Sequence, residues 1–211
     1  MRIRLNQILP NPLTNESVEG SSIWGQKLIF EKGNFIEIKA QSGQGKSTLL
    51  HIIYGLRFDF EGTCEIDGKS TATFSKEKWR EVWSDQLSLV FQDLRLFMDL
   101  TARQNLELLP AFHKPNPDLM EMCEQINIAH LLDQPVGTLS LGQRQRFALV
   151  RSLLKPFDWL LLDEPFSHLD KENAERTAKL IESIVRSRNA GIIYTSLMTH
   201  RYLACNQSMD L

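Results

Sequence analysis

Apolar positions change period several times along the chain, and each change marks an element. Phe35-Ile36-Glu37-Ile38 alternates as a strand does, while Leu49, Leu50, Ile52 and Ile53 recur at helical spacing before Gly55. Upstream, residues from Arg2 to about Lys39 mix short apolar runs with turn signals at Pro10-Asn11-Pro12, Glu19-Gly20 and Lys32-Gly33-Asn34. That mixture predicts a small strand-rich subdomain. Phe60 to Gly68 reads as a hairpin turning at Asp67-Gly68. Glu77 to Asp85 reads as a short helix with Trp79 and Trp83 four apart, placed for packing. Leu87 to Phe91 reads as a strand, and it delivers Gln92.

Helical periodicity takes over at Thr101–Leu109 and Asp118–Leu132, with Pro110, Pro115 and Pro117 keeping the two helices apart. This predicts a helical lobe over 93–137, inserted into one domain made of 1–92 and 138–211. Phe157 to Leu162 is short and almost wholly apolar, as expected of a parallel strand buried on both faces. Glu172–Arg188 is an amphipathic helix with Ala174, Ala178, Ile181, Ile184 and Val185 on one side, and Ile192–Thr195 is a further buried strand. No internal repeat, low-complexity stretch or second domain shows.

Composition narrows the class. The 211 residues suffice for one sizeable α/β domain, and a net charge of −2 leaves no electrostatic footprint for DNA or RNA. The N-terminus lacks a signal-peptide core, and Trp159-Leu160-Leu161-Leu162 is among the longest apolar runs, far short of a bilayer span. The expectation is a soluble protein that meets a membrane only through a partner. The 3 cysteines, Cys64, Cys123 and Cys205, are far apart and lack zinc spacing, which suggests reduced thiols in a cytoplasm. The 5 histidines are scattered and read as surface or packing residues.

The candidate chemistry centres on Ala40-Gln41-Ser42-Gly43-Gln44-Gly45-Lys46-Ser47-Thr48, between the strand and the helix described first. Strand, glycine-rich loop and helix is the setting of a phosphate-binding loop. Gly43 and Gly45 let backbone N–H groups curl around a phosphate, and Lys46 adds charge for the β and γ oxygens. Ser47 is placed to ligate Mg²⁺, and the helix start contributes its dipole. An ordinary glycine-rich turn is the competing reading. A second signal lies at Leu160-Leu161-Leu162-Asp163-Glu164, an apolar strand ending in two carboxylates. Asp163 would hold Mg²⁺ through its water shell, and Glu164 would orient or deprotonate the water attacking a γ-phosphate. Alone, such an ending is common in turns; paired with the Lys46 loop it gains meaning. A third signal is Leu139-Ser140-Leu141-Gly142-Gln143, where Ser140 can cap a helix. That start is either a second phosphate site or a plain helix cap.

Together these segments resemble the ATP-binding cassette (ABC) ATPases, the nucleotide-binding subunits of ABC transporters. The resemblance spans nearly the whole chain: the Lys46 loop, a glutamine loop at Gln92, a signature at Leu139–Gln143, the acidic motif at Leu160–Glu164, and Ser167-His168-Leu169-Asp170 as the loop ending in aspartate. It implies an α/β fold with a P-loop NTPase core, an inserted helical lobe and an N-terminal antiparallel β subdomain. It implies ATP and Mg²⁺ as ligands. It also implies a head-to-tail homodimer, or a heterodimer with a related ATPase, and a membrane permease partner on the inner face of the cell membrane. Ser140, Gly142 and Gln143 would contact the γ-phosphate held by the partner's Lys46 loop, and Asp170 would join the nucleotide site. Gln92 would contact Mg²⁺ and sense the permease. Phe91–Phe97 and Leu100–Leu106 look similar to the lipoprotein-releasing, macrolide-export and cell-division group, which favours export or envelope work over sugar import.

The chain departs from the family pattern in places. Ala40 replaces the first loop glycine, and Leu141 the second signature glycine. No aromatic precedes Gly33 to stack on adenine, since Trp24 lies too close to the loop. The family's strand ends in a Thr-His switch, whereas Thr195 is followed by Ser196; His200 follows Thr199 four residues on. Ser196 is therefore placed at the switch position, with His200 structural or exposed. Slow intrinsic hydrolysis is expected, and a regulatory scaffold with little turnover is the alternative to a transporter motor.

Overall fold

The computed structural model describes residues 1–13, 18–41, 43–108, 119–197 and 202–211. The expected strand-rich subdomain is an antiparallel sheet of β1 (Arg2–Pro10), β2 (Lys27–Glu31), β4 (Phe60–Ile66) and β5 (Lys69–Ser70), ordered β2-β1-β4-β5. The β4–β5 turn sits at Asp67 and Gly68, both with positive φ (49° and 77°), as a tight hairpin demands. The second sheet is all parallel. Its members are β6 (Leu87–Val90), β7 (Trp159–Leu162), β8 (Gly191–Ser196), β3 (Phe35–Lys39) and β9 (Gln207–Asp210), in that order.

The apolar run in β7 follows from burial on both faces. Trp159 and Leu161 pack with β1 and with α1 (Lys46–Tyr54), whereas Leu160 and Leu162 pack with α5 (Leu141–Leu154) and α6 (Lys171–Ser187). The apolar face of α6 carries Ala178, Ile181, Ile184 and Val185 into that second core, as its periodicity predicts. The lobe contributes α3 (Ala102–Glu107) and α4 (Leu119–Gln125), and both pack on α5, which also rests on β6.

Three elements differ from expectation. The helix expected to run to Leu132 stops at Gln125, because Asn127 takes a left-handed φ of 54° and the N–H of Ile128 returns to the Cys123 carbonyl at 2.9 Å. That is a Schellman-type stop, followed by a 3₁₀ turn at Ala129–Leu131. The helix expected over Glu77–Asp85 is α2 (Lys76–Glu81), capped by Ser75, and it widens into a π turn over Val82–Gln86. Its Trp79 and Trp83 rings stack at 5.5 Å, the packing role expected. Strand β9 was not expected at all: Gln-Ser-Met-Asp lies on a sheet edge and carries no apolar period. Leu109, the three lobe prolines and Asp118 lie outside the described residues. Among the described residues, no helix is long and apolar enough to cross a membrane.

Candidate functional site

All parallel strands end at one edge, and the chain's chemistry gathers there. Ala40 follows β3, Asp163 and Glu164 follow β7, and Ser196 closes β8 between them. Gln92 lies two residues past the end of β6 and is exposed.

The loop between β3 and α1 is built around positive-φ glycines, Gly43 at 84° and Gly45 at 97°. At Gly45 a Cβ would also press on the Trp24 ring, 3.1 Å from Cζ2, so Trp24 underlies the loop, consistent with its nearness in sequence. No side chain caps α1 and no acidic residue stands in its first turn. Its leading N–H groups are thus left for an anion. The Lys46 side chain is 5% exposed, and its Nζ donates to the carbonyls of Ala40 and Gln41, each at 3.0 Å. Its third neighbour is Glu164 Oε1 at 3.2 Å. Gln44 braces the loop by accepting from the Gln41 N–H at 2.6 Å. The Thr48 hydroxyl accepts from Arg57 at 3.2 Å, a contact that faces away from a phosphate role. Ser42 lies outside the described residues.

Asp163 is 4% exposed, so its carboxylate needs partners. Thr195 supplies one: its hydroxyl donates to Asp163 Oδ1 at 2.9 Å and accepts from the Glu164 N–H at 2.8 Å. Glu164 itself sits at φ 46°, a left-handed conformation that costs a non-glycine residue about 1–3 kcal/mol. Gln145, on α5, donates from Nε2 to the Glu164 carbonyl at 3.0 Å and accepts from the His168 N–H at 3.2 Å. Thr195 and Gln145 are therefore functional neighbours that sequence reasoning missed. Gln145 is only two residues past Gln143, but nothing in its type signals the reach. Among the described residues no three His, Cys, Asp or Glu side chains form a metal cluster. Asp163 and Ser47 still fit Mg²⁺, which takes one or two protein oxygens and completes its shell from phosphates and water.

The Ser140 start of α5 is partly satisfied from within. Its Oγ accepts from the Gln143 N–H at 3.3 Å, and the Gln143 side chain accepts from the Ser140 N–H at 2.8 Å. The Ser140 hydroxyl keeps its proton for an outside acceptor. Gly142 has an internal reason to be glycine: a Cβ there would lie 2.5 Å from the His168 carbonyl. Asp170 caps α6, accepting from the backbone and side-chain N–H groups of Asn173, and those bonds hold its carboxyl below the usual range. Ser196 donates to Glu37 Oε1 at 3.1 Å, and Ser208 donates to Glu37 Oε2 at 3.3 Å. The only proton on the Ser196 hydroxyl is thereby directed into the sheet. Thr199 and His200 lie outside the described residues. His51 packs on Phe91, their rings 6.0 Å apart, and burial lowers its pKa, in keeping with a packing histidine. A cavity of about 360 Å³ opens beside the loop, lined among others by Leu13, Val18, Gly43 and Gln44.

A family model described as "ABC transporter" matches residues 25–167. The chain belongs to the ABC transporter family. It is 31% identical over 182 residues to the lipoprotein-releasing system ATP-binding protein LolD of Pseudoalteromonas translucida, covering 83% of this chain and 77% of the relative. It is 35% identical over 181 residues to the probable amino-acid import ATP-binding protein YxeO of Bacillus subtilis, covering 82% and 73%. A bacterial ABC transporter cassette solved as a dimer matches with a TM-score of 0.77 at 25% identity, over 92% of this chain and 87% of the other. The same TM-score, 0.77, at 24% identity relates the fold to a dimeric cassette in a post-hydrolysis state bound to ADP and Pi, over 92% and 87% of the two chains. The ABC ATPase fold and its ATP-binding, ATP-hydrolysing class thus apply to this chain.

Proposed function

We propose that this chain is a motor subunit that closes head to tail on a second ATPase subunit over MgATP and so drives a membrane permease. The observation that carries the reading is the meeting of Lys46 and Glu164, 3.2 Å apart at the C-terminal edge of a parallel sheet. A cation for phosphate oxygens and a carboxylate for the attacking water belong within reach of one γ-phosphate. The same contact gives the bound phosphates a second task in this reading. They replace Glu164 at the ammonium, which releases the carboxylate to take a proton from water.

The residues act as follows. The uncapped N–H groups of α1, that of Thr48 included, together with Ser42, Gly43, Gln44 and Gly45, would hold the phosphates, with Lys46 on the β and γ oxygens. Ser47, Asp163 and Gln92 would hold Mg²⁺, and the ion, when bound, would neutralise the phosphate oxygens. Thr195 keeps Asp163 and Glu164 in register. Leu13, Val18 and Trp24 line the cavity beside the loop, where the aliphatic pair would pack on the base. Ser140, Gly142 and Gln143 of one subunit reach the γ-phosphate held by the other, with Asp170 at the same seam. The helix start supports this, because beyond its capping box it keeps the Ser140 hydroxyl proton and the N–H groups of Leu141 and Gly142 for an outside acceptor. The lobe over 93–137 is the unit that carries the signature toward the partner, and permease docking would hold the chain at the inner face of the membrane.

Relatives at 31% to 35% identity are named for lipoprotein release, for amino-acid import and, as ThiQ of Vibrio parahaemolyticus, for thiamine import. What they share is the motor, and the cargo belongs to the permease. Slow turnover in isolation is supported by the Ser196 bond to Glu37, which leaves the switch position without a donor aimed at phosphate. The deciding experiment is ATP-dependent dimer formation by Glu164→Gln on size-exclusion chromatography. A monomer in saturating MgATP overturns the sandwich.

A further inference from the structure

Helix α5 begins at Ser140 and ends against the glutamine loop. Arg151 lies about 16 Å along the axis from that start, at 1.5 Å per residue. Its guanidinium donates from Nη1 to the Arg95 carbonyl and from Nη2 to the Leu94 carbonyl, both at 2.7 Å. Leu94 and Arg95 are consecutive left-handed residues, φ 61° and 47°, a conformation L residues avoid. It brings two successive carbonyls to one guanidinium, whose planar fork suits such a pair. The Arg95 side chain folds back over the Phe91 ring, 3.6 Å from its centroid, and so closes the loop from the other side.

The same helix is tied to the strand that leads into this loop. The Ser88 hydroxyl donates to the Ser152 carbonyl at 2.8 Å, and Lys155 Nζ donates to the carbonyl of Leu87 at 2.6 Å and to that of Trp83. Burial pushes the Lys155 ammonium down to about 8 and lowers the Arg151 guanidinium as well. Among the described residues no carboxylate pairs with Arg151, whose charge is spent on two backbone carbonyls. Packing alone would be served as well by an apolar side chain of the same length.

We propose that Arg151 is a positioning residue for Gln92: it clamps the Leu94 and Arg95 carbonyls so that the Ser140 helix and the glutamine loop move as one body. Closure over nucleotide at Ser140 is then carried to the loop that meets the permease, without passing through the flexible stem of any exposed side chain. The inference rests on the reading of Gln92 as a residue of the nucleotide site.

Steady-state ATP hydrolysis by the purified full chain tests it with Gln92→Ala, Arg151→Met and the double variant. Arg151→Met keeps the stem and removes the fork. It should lower kcat about tenfold with KM for ATP within about twofold, the signature of a misplaced group. The double variant should be no slower than Gln92→Ala alone, since Arg151 acts through Gln92. Arg151→Lys, with one point of charge, should recover part of the rate. Multiplied effects in the double variant would overturn the proposal, because independent structural losses add in free energy. A slow Gln92→Ala beside a wild-type Arg151→Met overturns this inference alone, and a wild-type Gln92→Ala overturns the Gln92 role with it. If circular dichroism shows that Arg151→Met is unfolded, Arg151→Lys carries the same comparison with Gln92→Ala, with partial slowing that vanishes in the Gln92→Ala background as the expected result.

Discussion

Two helix starts in this chain look alike in sequence and differ in the structure. Both follow a strand or turn with a glycine and a hydroxyl residue nearby, and each is a plausible anion site. The start of α1 has no side-chain cap, and its charge, Lys46, is held by two loop carbonyls and Glu164. The start of α5 is closed by a reciprocal Ser140–Gln143 box. The first leaves its N–H groups open to a ligand of its own subunit. The second closes its Ser140 and Gln143 N–H groups, so only those of Leu141 and Gly142 remain beside the hydroxyl for a surface brought to it. The contrast teaches that the two halves of a phosphate site can be told apart by what each leaves unpaired.

The contrast can be broken most sharply at Glu164. Glu164→Gln should lower hydrolysis by roughly 10²–10⁴ while nucleotide affinity holds or rises, because the ammonium of Lys46 loses its competitor. Turnover at the wild-type rate would remove the base. Lys46→Ala comes next. Nucleotide affinity, read by isothermal titration, should fall by roughly 10²–10³, the cost of deleting one partner of a buried charge pair. Unchanged affinity would mean that the α1 start is not the phosphate site.

A smaller effect is expected at the switch. Ser196→His should raise hydrolysis, by up to roughly 10², since it restores a donor that the bond to Glu37 now withholds. His200→Ala should change little; if it abolishes turnover while Ser196→Ala does not, the switch is His200. At the second helix start, Gly142→Ala should destabilise the isolated subunit by about 1–3 kcal/mol in urea unfolding, because its Cβ would meet the His168 carbonyl at 2.5 Å. No loss of stability would leave the partner's phosphate as the sole reason for glycine there. Smallest is Ser140→Ala, at about 1 kcal/mol for the lost cap. Its hydrolysis should fall further than that stability loss accounts for, and a fall no larger would make Ser140 a cap alone.

Much of this arrangement was legible along the chain, and the reason is locality. The Lys46 loop, the Ser140 cap and the buried β7 strand each depend on contacts among residues a few places apart, or on a period that burial imposes directly. The two-sided burial of Trp159–Leu162 could be read because a helix-covered parallel sheet admits no polar face. The stop at Asn127 was harder, because asparagine tolerates helix and left-handed turn alike and only the Ile128 return bond decides between them.

The sequence by itself determined which segments would be strand, loop and helix around Lys46, where the signature helix would begin, and that two carboxylates would stand at a strand end. Those follow from backbone geometry and apolar period. Only the tertiary structure decided that Thr195 would join Asp163 to Glu164 from a neighbouring strand, that Gln145 would hold the Glu164 carbonyl, and that Ser196 would turn its proton to Glu37. It alone decided that Arg151 would grip the glutamine loop. Each of these bonds joins residues about 20 to 160 positions apart, and such a pairing is set by sheet register and helix packing, which no local pattern encodes.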